Sequence, residues 1–251
     1  MHRFFINKKD VQDDIVKISG KDYKHIAKSL RLEVSDKIIA CTGDGYDLVL
    51  ELKEFSEDSV KAKIIKKEKN RNEANHNVTI AQAIPKNRNM ELVVQKTTEI
   101  GVNEVIPLTT KRTIVKLKGK KKKKRIARWQ RIAEEASKQS QRGIIPQIKN
   151  ILTLKQLKNI KDDYDLILVL WASEEKQSLS DIIKEKNINV DNNNILLIVG
   201  PEGGFSEKEI NYLKENLNAK TITLGPRILR TETAPIVGLS VLLYELGDLG
   251  G

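Results

Sequence analysis

From residue 78 onward, short apolar runs of strand length alternate with stretches whose apolar residues recur at helical spacing. No other feature constrains the fold of this chain as strongly. Val78 to Ile84, Val105 to Leu108, Leu166 to Trp171, Ile195 to Val199 and Thr221 to Leu224 read as strands. Between the first two, Met90, Val93, Val94, Thr97 and Ile100 share one helical face, closed by Gly101 as a cap. Ile126 to Ser140 repeats the pattern with Ile126, Trp129, Ile132, Ala133 and Ala136. Glu207 to Leu217 reads as helical, and Val237 to Leu246 as an apolar helix near the C-terminus. Strands separated by helices pair in parallel, because each helix serves as the crossover. The pattern therefore predicts an α/β fold with a mostly parallel sheet covered on both faces.

The first seventy or so residues follow another rule and read as mostly β. Met1 to Ile6 is a short strand, and Asp22 to Leu30 one helix around His25. Lys37 to Cys41 and Tyr46 to Leu52 flank Thr42-Gly43-Asp44-Gly45, a hairpin-type turn. Ser59 to Ile65 adds a strand. Lys66 to Asn77 is polar with almost nothing to bury, which makes it the expected linker. Two domains follow, 1–72 and 73–251, and 251 residues suffice for a core in each.

The formal net charge is +11, from 45 Lys and Arg against 34 Asp and Glu. That balance fits a polyanionic partner such as nucleic acid, or a solvated lysine-rich surface. Lys120 to Lys124, followed by Arg125, is the only low-complexity run. Like charges repel, so it is expected in an exposed loop or a frayed helix start, either solvated or touching a phosphate backbone. Cys41 is the sole cysteine, which excludes an intramolecular disulfide. His2, His25 and His76 are too scattered for a metal site, so no metal is expected. Without an apolar stretch of spanning length or a secretory apolar region after Met1, a cytoplasmic protein is expected, with no membrane partner.

Two loops carry the chemistry. Gly200-Pro201-Glu202-Gly203-Gly204-Phe205 follows the apolar run Ile195 to Val199. Leu224-Gly225-Pro226-Arg227-Ile228-Leu229-Arg230-Thr231-Glu232-Thr233-Ala234-Pro235 joins a strand to the last helix. Each lies at a strand-to-helix handover, where open α/β sheets bind small ligands. A phosphate cradle needs free backbone N–H groups at a helix N-terminus. Here Glu202 brings a carboxylate instead, and Ser206 with Glu209 matches a capping box that fills the helix end. A neutral or cationic nucleoside ligand fits better than a triphosphate. A nucleotide enzyme of the Rossmann type lacks its G-x-G-x-x-G after the first strand.

The stretches GPEGGFSEKE and LGPRILRTETAP resemble the RsmE family of 16S rRNA uridine-N3 methyltransferases, of the SPOUT class. Lys96 and Glu99 in QKTTEIGVNEVIPL agree with it, as do Glu135, Gln139, Ser140, Arg142 and Pro146 in EEASKQSQRGIIPQI. Met1-His2-Arg3-Phe4-Phe5 and His25-Ile26-Ala27-Lys28-Ser29-Leu30-Arg31 resemble its small PUA-like RNA-binding domain. The agreement covers essentially the whole chain and is looser before Gln82. The lysine run departs from the pattern, and Leu170-Trp171-Ala172-Ser173-Glu174 matches it only loosely.

The resemblance implies a C-terminal SPOUT domain with a trefoil knot, plus a PUA-like β-barrel. It implies S-adenosylmethionine as cofactor and 16S rRNA, in the small ribosomal subunit, as partner. With the apolar helix Pro235 to Leu246, it also suggests an antiparallel homodimer. The cofactor seat would comprise Leu170, Val199, Gly200, Glu202, Gly203, Gly204, Leu224, Gly225, Ile228, Leu229, Thr233 and Ala234. RNA contacts would come from Arg3, Lys28, Arg31, Lys86, Arg112, Gln139 and Arg142. Uridine N3 must lose a proton, and the charge spreads to O2 and O4, which favours a nearby guanidinium. Arg230 is the first candidate for it and Arg142 the second. Glu232 either accepts the proton or orders the loop near the helix N-terminus. A non-catalytic RNA-binding protein with a lost pocket is the competing reading. Its loops would tolerate bulk at Gly200, Gly204 or Gly225, and these loops carry none.

Overall fold

The computed structural model describes residues 1–174, 177–186 and 193–249. They form two compact units: Met1–Glu73 with Ser137–Ile145, and Ala74–Ala136 with Pro146–Gly251. The expected division at 72 assigns 137–145 to the second domain, whereas its contacts group it with the first unit.

Unit one holds β1 (Arg3–Phe5), β2 (Val11–Gln12), β3 (Ile15–Ser19), α1 (Gly20–Lys24), β4 (Lys37–Cys41), β5 (Tyr46–Phe55) and β6 (Ser59–Lys69). Its six strands run in the order β1-β4-β5-β6-β3-β2, antiparallel except for β1 on β4. The sheet curls around Ile26, Ile38, Leu50 and Leu52, each fully buried. The single helix expected over Asp22 to Leu30 starts at Gly20 and changes to a π-helical turn over His25–Leu30. It stops at Arg31, which adopts φ 54. The expected linker is also shorter than its composition suggests. Lys66 to Lys69 continue β6 against Val49 to Tyr46, and Asn77 opens the next strand. Charged side chains are tolerated there because that end of β6 is exposed and Lys67 covers the Tyr46 ring at 4.7 Å.

Unit two holds β7 (Asn77–Ala83), α2 (Asn89–Ile100), β8 (Glu104–Thr109), α3 (Gly119–Gln139, to Ala136), β9 (Gln147–Ile148), β10 (Leu152–Thr153) and α4 (Leu154–Leu157). It continues with β11 (Leu166–Leu170), α5 (Leu179–Lys186), β12 (Asn194–Val199), α6 (Glu207–Leu217), β13 (Lys220–Ile222) and α7 (Thr233–Glu245). Its seven strands pair in parallel, in the order β10-β8-β7-β12-β11-β13 with β9 also on β8. The unbroken apolar run of β12 is explained by its place between β7 and β11, where Ile195 to Val199 are all buried. Because every strand points the same way, the connections leaving β7, β11, β12 and β13 emerge at one edge. That edge is where such sheets bind ligands.

Two helices differ from expectation. α3 begins at Gly119, ahead of the expected Ile126, so of the two placements expected for the lysine run it takes the helix start and not the loop. Lysine is a good helix former, and burial of Trp129, Ala133 and Ala136 anchors the rest. α7 begins at Thr233, with Pro235 in its first turn, where a missing N–H costs nothing. Among the described residues no helix is long and apolar enough to cross a membrane.

Candidate active site

The connections after β7, β11, β12 and β13 enclose one cavity of about 1050 Å³, wholly within unit two. That volume suits a nucleoside-sized ligand with room beside it. The two glycine loops are joined at its base. The buried Thr231 hydroxyl donates to the Gly200 carbonyl at 2.7 Å and accepts from the Gln82 amide at 3.1 Å. Gln82 is the one strongly polar residue inside the buried β7, and its Nε2 also donates to the Ala83 carbonyl at 2.9 Å. Its Oε1 has no partner among the described residues.

Glycine is required at two places for different reasons. A Cβ on Gly200 would stand 3.3 Å from both the Gly204 Cα and the Phe205 ring, so the first loop closes on itself there. Gly225 has φ +97 with open space around it, so the demand is conformational. Two N–H groups at the first loop and the start of α6 are bonded within the protein. Gly204 N–H donates to Pro201 O at 2.8 Å, and Ser206 N–H to the Glu209 carboxylate at 2.9 Å. Neither is left for a phosphate.

Of the residues expected to seat a cofactor, Leu170, Val199, Gly200, Glu202, Gly203, Gly204, Leu224, Gly225, Ile228, Leu229 and Ala234 line this cavity. Thr233 does not; its N–H turns back to the Arg230 carbonyl at 2.9 Å as α7 begins. Ile228 is 88 % exposed, so within the protein it is an uncovered wall rather than a packed seat. Lys86 and Arg112, expected to meet RNA, line the cavity too. Arg112 donates to the Gly203 carbonyl at 2.5 Å, and Glu202 accepts the Lys86 backbone N–H at 2.7 Å. These two bonds brace the first loop from outside. Glu174 accepts from the Thr221 hydroxyl at 2.6 Å. Arg230 and Glu232 line the cavity with no side-chain partner among the described residues, and so does Arg227. Their charges are free to meet a ligand or substrate. The sequence alone does not set Gln82, Thr231 and Arg227 apart from their neighbours, except that the first is a glutamine within VTIAQAI.

Arg142 requires correction. It does not line the cavity and is only 3 % exposed, in unit one, with its guanidinium 2.7 Å from Glu73. Glu73 also accepts from Gly143 N–H at 2.8 Å and Ile144 N–H at 3.0 Å, so the group secures the segment 137–145. Its charge is thus taken up by a buried carboxylate pair inside unit one. Arg3 is corrected likewise: its guanidinium is buried against the Asp47 carboxylate, with Nη2 at 2.7 Å, and donates to Cys41 Sγ at 2.7 Å. Lys28, Arg31 and Gln139 are exposed and are not among the residues that line the cavity.

The Arg3 cluster sets a pH dependence. Burial opposes ionisation of Asp47, yet hydrogen bonds from Arg3, Asn70 and Cys41 outweigh it and hold the carboxyl below its ordinary value. Burial pushes the neighbouring Cys41 thiol up to about 12, so it stays neutral. A carboxyl depressed by folding stabilises above its unfolded value and loses that contribution as pH falls through the folded one. Thermal unfolding of wild type and Asp47→Asn is therefore expected to differ at neutral pH. The two curves are expected to converge below the ordinary Asp value of about 3.9. A difference that persists unchanged through that window would remove Asp47 as its source.

Among the described residues no group of three or more His, Cys, Asp or Glu is arranged to hold a metal. The model of the RNA methyltransferase domain family matches residues 72–243, and that of the RNA methyltransferase PUA domain matches 18–65. The ribosomal RNA small subunit methyltransferase E of Bacillus subtilis is 36 % identical, over 100 % of this chain and 99 % of its own. That of Mesomycoplasma hyopneumoniae is 35 % identical over 98 % and 100 %. The crystal structure of a ribosomal RNA small subunit methyltransferase E from Neisseria gonorrhoeae, bound to S-adenosyl methionine, is 28 % identical. It superposes with a TM-score of 0.83 over 97 % of both chains.

Proposed function

We propose that uridine N3 of 16S rRNA is the atom methylated by this chain, which belongs to the ribosomal RNA small subunit methyltransferase E family and is an S-adenosylmethionine-dependent ribosomal RNA methyltransferase. The observation that carries this reading is the single cavity enclosed by both glycine loops and tied together through Thr231. The cavity residues fit the cofactor. Glycines allow close backbone approach, Leu224 and Leu229 offer apolar surface, and Glu174, Glu202 and Glu232 bring carboxylates suited to a cationic ligand. When bound, S-adenosylmethionine supplies a methyl group on a sulfonium that leaves without covalent help from the protein.

The protein's part is to hold two ligands and to manage one proton. Arg230 is read as the donor that stabilises negative charge on the uracil oxygens, since its guanidinium is unpaired at the cavity. Glu232, two residues away and also unpaired, is read as proton acceptor or as a carboxylate ordering the start of α7. Unit one, with Lys28 and Arg31 exposed near α1, is read as an RNA-binding element, in line with the PUA-domain match. A homodimer is proposed from Leu92 on α2 and Val241 and Tyr244 on α7, apolar residues left exposed on two helices that pack together. The trefoil knot and a cytoplasmic location belong to the same proposal.

Mass mapping of modified nucleosides in small-subunit rRNA, with and without this protein, tests the reading. One 3-methyluridine is expected to vanish with the protein and return with it. A methyl group found on a base carbon, a ribose or another RNA would overturn the assignment to N3 of 16S rRNA.

A further inference from the structure

The positive charge of this chain is concentrated in one segment. Of 45 Lys and Arg residues, 12 lie between 111 and 131, where there is no Asp or Glu. The other 33 stand against 34 acidic residues, so the rest of the chain is nearly neutral. The segment comprises the loop after β8 and the first half of α3.

Helical periodicity sorts the cations of α3 into two sets. Lys122 and Arg125 fall on the side of the buried Trp129 and are tied down. Lys122 donates to the Ile151 carbonyl at 3.2 Å, and Arg125 reaches the Glu91 carboxylate at 3.4 Å. Arg128 joins the same carboxylate at 2.7 Å. Lys120, Lys121, Lys123, Lys124 and Arg131 are exposed and form no ion pair among the described residues. Lys120, Lys124 and Arg131 share one stripe, about 16 Å long at the rise of an α-helix.

This placement works against the helix. Lysines three and four apart repel one another, and cations at the N-terminal end oppose the helix dipole. Burial of Trp129 and the Glu91 pairs account for how α3 is held. They do not account for unpaired cations gathered at the end where they destabilise most. A polyanion along the stripe removes both penalties. Continuity gives it a direction, because the preceding loop carries Arg112, which lines the cavity beside Lys86. The only aromatic residue of the segment is the buried Trp129, so nothing exposed here stacks on bases. A membrane-surface helix would present its apolar face outward, whereas this one buries it.

We propose that residues 111–131 form a track for the phosphate backbone of the RNA substrate, leading the strand along α3 toward the cavity. The proposal rests on the reading of the protein as an RNA methyltransferase. Contacts to phosphate position a strand without reading its sequence, so the track sets affinity and register while the cavity chooses the base.

Fluorescence anisotropy with single-stranded RNA of small-subunit sequence, measured across salt concentrations, compares wild type with Lys120/Lys121/Lys123/Lys124→Gln. Counterion release contributes about 0.7 to 0.9 to the log–log slope per phosphate neutralised, so four lost contacts are expected to flatten it by about 3. A scrambled RNA is expected to lose as much. Glutamine keeps the helix propensity, and S-adenosylmethionine affinity is expected to stay at the wild-type value, since none of the four lines the cavity. An unchanged slope in a variant that binds the cofactor overturns the track alone. Wild-type protein that binds no S-adenosylmethionine overturns the methyltransferase reading beneath it. Lost binding to phosphatidylglycerol vesicles with RNA binding intact overturns the track in favour of a membrane. Should the variant fail to fold, acetylation footprinting of the wild type decides: RNA protects Lys120 to Lys124 if the track exists and leaves them reactive if it does not.

Discussion

Gly225→Val is expected to weaken S-adenosylmethionine binding by about 10- to 100-fold while leaving the fold intact. The cause lies in the backbone. Gly225 sits at φ +97, a conformation that a β-branched residue adopts only as an outlier. Holding such a residue there costs of order 1–3 kcal/mol, and 1.4 kcal/mol is tenfold in affinity. No neighbouring atom lies within 4 Å of the position a Cβ would take, so crowding inside the protein is not the mechanism. The loop is expected to relax to another conformation instead, breaking the contacts of the Thr223 hydroxyl with the Gly225 N–H at 3.2 Å and carbonyl at 3.4 Å. Gly225 is exposed, so circular dichroism and thermal unfolding are expected to change little. Calorimetry provides the check, with ATP as control. ATP is expected not to compete, because Gly204 N–H and Ser206 N–H are already bonded to the protein's own oxygens. Wild-type affinity in the Val variant would show that this conformation does not shape the cofactor site.

The sequence exposes the features of this protein that repeat and conceals those that depend on a partner elsewhere in the chain. β12 was legible because a strand between two neighbours is apolar on both faces, and Asn-Ile-Leu-Leu-Ile-Val has no other simple use. α2 and α6 were legible from period and caps. β3 is not legible although Val16 and Ile18 alternate with exposed residues, a pattern too short to stand out among the charges around it. The two loops are legible as candidate ligand loops because glycine, proline and a preceding strand coincide, and both line one cavity. Exposure was not legible at all. Arg142 and Arg3 look like Lys28 and Arg31 in a sequence, and only the distant Glu73 and Asp47 take them out of solvent. Repulsion alone predicts a loop or a frayed helix start for the lysine run, and the anchorage that holds it helical comes from outside the run. Trp129 and Glu91 hold the helix that carries it.

Arg230→Ala is expected to lower the rate of methyl transfer by about 10²–10³, the usual loss when one donor to developing negative charge is removed. S-adenosylmethionine affinity is expected to change far less, since an interaction made only in the transition state appears in turnover and not in ground-state binding. Three features of the site support this division. Arg230 lines the cavity, it has no side-chain partner among the described residues, and the loop around it is held by Thr231 rather than by its own guanidinium. Arg230→Lys is expected to recover little, because an ammonium lacks the planar fork that faces a uracil oxygen. Raising the pH is expected to rescue the Ala variant in part, because more of the uracil is then ionised before attack. Single-turnover rates against pH, paired with calorimetry, separate these outcomes. Full turnover with weakened cofactor binding would make Arg230 a loop-ordering residue. The anion stabiliser would then be sought at Arg227, which also lines the cavity unpaired, and not at Arg142, whose guanidinium is already committed to Glu73.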